Sequence, residues 1–192
     1  MAVETYDRNF IELMLSQLHD RESLLDIGSG LCSLLRYMPY KHIIALDIHR
    51  PYLVNRICME PHIIPLLAEA KSIGKLFIPD SVSTVSFMDS LEHFTKIEAL
   101  ELLQDAEQIA KHQVVVFAPR GYFPQKGIDH YGMNGESYQE HRSSWEPEEL
   151  EARGYAVTVL KGFHDHNNSA FTEAFGYGHD PVDALLAIKT KR

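Results

Sequence analysis

The stretch Leu24-Leu25-Asp26-Ile27-Gly28-Ser29-Gly30 restricts the possible folds more than any other segment. It reads as a short buried strand that runs straight into a glycine turn. Without Cβ atoms at Gly28 and Gly30, a ligand can approach the backbone there. Leu31, Leu34, Leu35 and Met38 then recur at helical spacing before Pro39, so the spacing predicts a helix. The alternation repeats. Ile43 to Leu46 is an apolar strand ending in Asp47, and Pro51 to Cys58 reads as a helix with proline in its first turn. Ile63 to Leu67 is the next strand, although Pro65 limits its ladder. Val82 to Met88 is a fourth, ending at Asp89, and Thr95-Lys96-Ile97-Glu98 is a capping-box pattern that opens a helix through Ile109. Val114 to Phe117 has no polar face, as expected for a strand covered on both sides. Strands alternating with helices imply an α/β fold, a parallel sheet with helices on both faces.

The two ends differ. From Tyr6 to Leu18, the spacing of Phe10, Leu13, Met14 and Leu18 predicts one amphipathic helix in the leading segment 1–20. Pro147 to Arg153 is a short helix closed by Gly154. Tyr155 to Leu160 and Ala184 to Ile188 are strands with no helix-length pattern between them, which predicts an antiparallel pair at the end of the sheet.

At 192 residues the chain is expected to be a single domain, 1–192. Its 18 Lys and Arg against 27 Asp and Glu give a formal net charge of -9, which opposes wrapping a nucleic-acid backbone. Eleven His soften that figure in mild acid. The start MAVETYDRNF has charges where a signal peptide needs an apolar run, and no stretch approaches the roughly 18 apolar residues of a membrane span. The expectation is a cytoplasmic protein with no nucleic-acid or membrane partner. Cys32 and Cys58 are too few for a disulfide framework and read as structural thiols.

Two carboxylates narrow the ligand. Asp47, ending the strand after the glycine turn, can accept both hydroxyls of a ribose. Asp26, just before the turn, would repel a pyrophosphate and attract an ammonium group, and Ser33 stands where a dinucleotide motif has its third glycine. The competing reading makes Gly28 and Gly30 the shapers of a tight turn and Asp47 a helix cap. A ligand with a ribose at one end and an amino acid at the other satisfies both acids, and S-adenosylmethionine is such a ligand.

These residues resemble the class I, Rossmann-like S-adenosylmethionine-dependent methyltransferases of small-molecule type. Leu25-Asp26-Ile27-Gly28-Ser29-Gly30 is similar to their first motif, Asp47 to their ribose-binding acid, and Ala68-Glu69-Ala70 to the segment near the adenine. Asp89-Ser90-Leu91-Glu92-His93-Phe94 resembles the segment beside the cofactor at the end of the fourth strand. Ser144 to Leu150, followed by Gly154-Tyr155, resembles a late segment of many members. Cys32 departs from the family, standing where a third glycine is usual. The resemblance implies a three-layer sandwich of about seven strands, mostly parallel with an antiparallel last strand. It implies S-adenosylmethionine as cofactor, held by Asp26, Gly28, Ser29, Gly30, Asp47, Ile48, Glu69, Ala70 and Asp89.

Methyl transfer needs alignment of nucleophile, methyl carbon and sulfur more than it needs acid-base help, so catalytic residues leave a faint sequence signal. Residues 120–144 hold Tyr122, Phe123, His130, Tyr131, Tyr138 and His141, and residues 161–180 hold Phe163, His164, Phe171 and Phe175. Both are expected to border a small-molecule methyl acceptor. His93 and His141 are the candidate bases. Asp89, Glu92 and His93 have the spacing of a partial metal site, but Glu-His at this place also occurs in members without metal, so no metal is assigned. The alternatives to a methyltransferase are a non-catalytic S-adenosylmethionine-binding module of the same fold and a nicotinamide-dependent oxidoreductase.

Overall fold

The computed structural model describes residues 1–127, 129 and 131–191. In chain order the elements are β1 (Val3–Thr5), α1 (Phe10–Gln17), β2 (Ser23–Ile27), β3 (His42–Asp47), α2 (Arg50–Val54), β4 (Ile63–Leu67) and α3 (Ile73–Leu76). They continue as β5 (Val82–Met88), α4 (Lys96–Ile109), β6 (Ala110–Pro119), α5 (Pro147–Ala152), β7 (Ala156–His164), α6 (Ser169–Phe175) and β8 (Val182–Thr190). The strands form one eight-stranded sheet in the order β1-β7-β8-β6-β5-β2-β3-β4. Only β8 runs against its neighbours, β6 and β7. The expected antiparallel pair at the chain's end is therefore present, and β1 adds an eighth strand beside it, parallel to β7.

Both sheet faces are covered. On one, Leu25, Ile27, Val85 and Phe87 pack with Leu102, Leu103 and Ala106 of α4, and with Trp145 and Leu150. On the other, Leu24, Ile43, Val115 and Phe117 meet Met14 and Leu18 from the leading segment and Leu35, Met38 and Tyr40 from the link between β2 and β3. This two-sided burial is why Ile43 to Leu46 and Val114 to Phe117 are apolar without a break, while β5 buries Ser83, Thr84 and Ser86 beside them. Among the described residues, no helix is long and apolar enough to cross a membrane.

Three expectations about local structure need correction. The helix expected over Leu31 to Met38 is absent; turns and a single 3-10 turn at Leu35–Tyr37 replace it. Cys32 has φ of 59°, outside the right-handed helical region, so a helix cannot run through it. Leu35 and Met38 are nonetheless buried, so their spacing recorded packing and not a helix. The second helix stops at Val54, not Cys58, where the Asn55 side chain donates to the Pro51 carbonyl at 2.9 Å and Arg56 to that of Leu53 at 2.9 Å. The leading helix starts only at Phe10, after its cap Asn9, whose side chain accepts from the Glu12 amide at 3.3 Å; residues ahead of it form β1.

Candidate functional site

Strand β2 lies between β5 and β3, so the chain leaves the sheet's middle in both directions from this point. An open crevice forms outside the carboxyl ends of strands at such a switch, the usual ligand position in α/β sheets. The crevice here has a volume of about 480 Å³. All nine residues expected to hold the cofactor line it: Asp26, Gly28, Ser29, Gly30, Asp47, Ile48, Glu69, Ala70 and Asp89.

The glycine turn is held by β3. The amides of Gly28 and Ser29 donate to the Leu46 carbonyl at 2.9 and 3.0 Å, and the Gly30 amide donates to Asp47 Oδ2 at 2.8 Å. Asp47 Oδ1 accepts from the His49 amide at 2.7 Å. Each carboxylate oxygen has two lone pairs, so these bonds fix Asp47 without exhausting it. Gly28 has φ of 74°, and a Cβ there would lie 2.7 Å from Cβ of Ser90. Gly30, at φ of 51°, has open space where a Cβ would project. The first glycine is required for close packing and the second keeps the backbone bare.

Burial sets the charges on the floor. Asp26 is 3% exposed, and Ser86 Oγ donates to its Oδ1 at 2.6 Å. Burial pushes its carboxyl up to about 7; the Ser86 bond opposes that shift and the Asp47 charge adds to it. Asp47 is also raised by burial, against the pull of the His49 and Gly30 amides. Asp89 reaches solvent through the cavity, yet the protein enclosing the rest of it pushes its carboxyl up to about 7. Its φ of 49° is uncommon for any residue but glycine, and its amide donates to the Phe117 carbonyl at 2.9 Å.

The two candidate bases separate. His93 lines the cavity, with Nδ1 3.2 Å from the Glu140 carbonyl. His141 stands behind it, off the cavity wall, with ring centroids 5.0 Å apart and Nδ1 2.9 Å from the Phe123 carbonyl. Burial lowers both, His141 to about 3, so both imidazoles are neutral at physiological pH.

Tyr131, Ser137, Tyr138, Gln139 and Arg142, from the segment 120–144, close over the crevice. His49 anchors that cover through Nε2, 2.8 Å from the Met133 carbonyl, and Gly135 packs so tightly on Tyr52 that a Cβ would lie 2.0 Å from its hydroxyl. His130 lies outside the described residues. The segment 161–180 does not reach the cavity; it folds as the end of β7 and α6. Sequence reasoning missed Tyr52 and the Lys71–Glu98–Arg142 chain of charges on the wall, where Arg142 lies 3.7 Å from Glu98. The capping-box position of Glu98 was visible in the sequence; its pairing across elements was not.

No family model matches the chain, and no curated protein matches its sequence. Solved structures do match. A SAM-dependent methyltransferase from Archaeoglobus fulgidus superposes with a TM-score of 0.62 at 15% identity, over 96% of this chain and 92% of that one. This chain has the fold of the SAM-dependent methyltransferases. A Bacillus halodurans structure described as a putative methyltransferase gives 0.65 at 13% identity, over 97% and 99% of the two chains. DhpI in complex with SAH gives 0.61 at 13%, over 96% and 84%.

Proposed function

We propose that the chain is an S-adenosylmethionine-dependent methyltransferase acting on a small-molecule acceptor. The observation that carries this reading is the convergence of Asp26, the bare Ser29-Gly30 backbone and Asp47 on one crevice at the sheet's switch point. The shared fold supports it, as do the neighbouring structures of DhpI with SAH and with SAM.

The donor set fits the cofactor. Asp26 provides a buried carboxylate for an ammonium group, and Asp47 offers its remaining lone pairs to ribose hydroxyls. Ile48 and Ala70 supply apolar wall for a flat base, with Glu69 on the rim to accept from an exocyclic amine. When bound, S-adenosylmethionine supplies a methyl group already activated by its sulfonium. The protein's part is then mainly positioning, and Tyr131, Tyr138 and Gln139 form part of the crevice wall beside it. Neutral His93 on the wall can take a proton from an acceptor hydroxyl or amine. The net charge of -9 favours a small acceptor over a nucleic acid.

A thermal-shift series tests the cofactor and a labelling experiment tests transfer. S-adenosylhomocysteine should raise the melting temperature while NAD does not, and labelled methyl from S-adenosylmethionine should appear on a component of a metabolite extract. Stabilisation by NAD alone would assign the crevice to a dinucleotide. Binding of S-adenosylhomocysteine with no transfer across broad extracts would make this a binding module.

A further inference from the structure

Behind the His93 wall, Glu92, His93 and His141 bring one ligand atom each to within 4.8 Å of one another. Glu92 is 2% exposed, and its Oε2 has no hydrogen-bond partner among the described residues. Its Oε1 lies 4.0 Å from His141 Nε2, too far for a hydrogen bond. A buried carboxylate left this way is costly unless something pairs with it. Arg142, adjacent in sequence to His141, turns its guanidinium to Glu98 instead, and Asp89 adds a second negative charge to the surroundings of Glu92.

The histidines are prepared in the complementary sense. Each places Nδ1 against a backbone carbonyl, His93 against Glu140 at 3.2 Å and His141 against Phe123 at 2.9 Å. A carbonyl can only accept, so both Nδ1 atoms carry the proton and both Nε2 atoms present a lone pair. A donated second ring N–H is how metal-ligating histidines are normally oriented. Ligands about 2.1 Å from a tetrahedral ion stand about 3.4 Å apart, so the observed spacing closes with small side-chain movements.

We propose that Glu92, His93 and His141 bind one divalent first-row transition ion, next to the crevice. Two imidazoles and one carboxylate select zinc, cobalt or iron over magnesium and calcium, which take oxygen ligands. Three protein ligands leave coordination open, and His93, shared between the ion and the crevice wall, changes from a proton acceptor into a ligand when the ion is bound. Asp89, paired with these residues in the sequence reading, is not part of the donor set. This inference stands apart from the cofactor reading, because it requires no bound nucleoside.

Equilibrium dialysis of the untagged protein against Co²⁺, followed by visible spectroscopy, tests it. The expected result is one retained equivalent with a d–d absorption band that Zn²⁺ displaces and Mg²⁺ does not. Glu92→Gln and His93→Gln, checked for folding by circular dichroism, should each weaken binding by roughly a hundredfold. Absence of a retained ion and band in the wild type, or undiminished affinity in both folded variants, would overturn the assignment.

Discussion

Asp26, on the floor of the candidate site, acts against the fold that holds it. Its carboxyl has a folded value of about 7 and an ordinary value near 3.8, mainly because it is buried. Between those values the folded chain binds more protons than the unfolded chain, so this group's contribution to stability falls as pH rises from about 4 to 7. Above pH 7 the charged carboxylate is a full penalty in the free protein. Asp26→Asn keeps an acceptor for Ser86 and removes that penalty. Urea unfolding at pH 8 should show a gain of the order of 2–4 kcal/mol, shrinking toward zero near pH 4. A gain independent of pH would place its origin elsewhere. The same substitution should weaken S-adenosylhomocysteine binding, separating stability from function at one position.

At the level of elements, α4 joins the core to the site. Thr95 Oγ1 accepts from the Glu98 amide at 3.4 Å and Glu98 Oε2 accepts from the Thr95 amide at 2.9 Å, a reciprocal cap. Glu98 also pairs with Lys71, which holds its carboxyl down to about 2. Thr95→Ala should cost about 1 kcal/mol in equilibrium unfolding with no change in cofactor affinity. This cap was legible in the sequence because capping is local. So were β3 and β6, whose unbroken apolar runs, Ile43 to Leu46 and Val114 to Phe117, reflect burial on both faces; β5 is equally buried but carries Ser83, Thr84 and Ser86. The link after the glycine turn was misread because Leu31, Leu34, Leu35 and Met38 have helical spacing, while the left-handed backbone at Cys32 leaves no compositional mark. Strand β1 was invisible for a different reason. Three largely exposed residues, Val-Glu-Thr, have no periodicity, and only their pairing with β7 defines them.

Across the whole molecule, the candidate site gathers at the carboxyl ends of the central strands of a sheet whose faces are buried. All nine cofactor candidates line the crevice; Asp26, Gly28, Gly30 and Asp47 were legible as the acids and glycines at the ends of two strands, whereas Ile48, Glu69, Ala70 and Asp89 followed only from the family resemblance. The cover from residues 120–144 was legible only as a long aromatic loop. The grouping of His141 with Glu92 and His93 arises from a return of the chain about 50 residues later, which no local pattern reports. The antiparallel strand β8 inserts between β6 and β7, with β6 and β5 separating it from the switch point at β2.

Asp26 and Asp47 are expected to grip opposite ends of the same molecule, and calorimetry with two ligands reads this directly. Titrating S-adenosylhomocysteine and adenosine into the wild type, Asp26→Ala and Asp47→Ala separates the two ends. Asp26→Ala should lose affinity for S-adenosylhomocysteine and keep that for adenosine, whereas Asp47→Ala should lose affinity for both. Equal losses from either substitution on both ligands, or no loss from either, would contradict it.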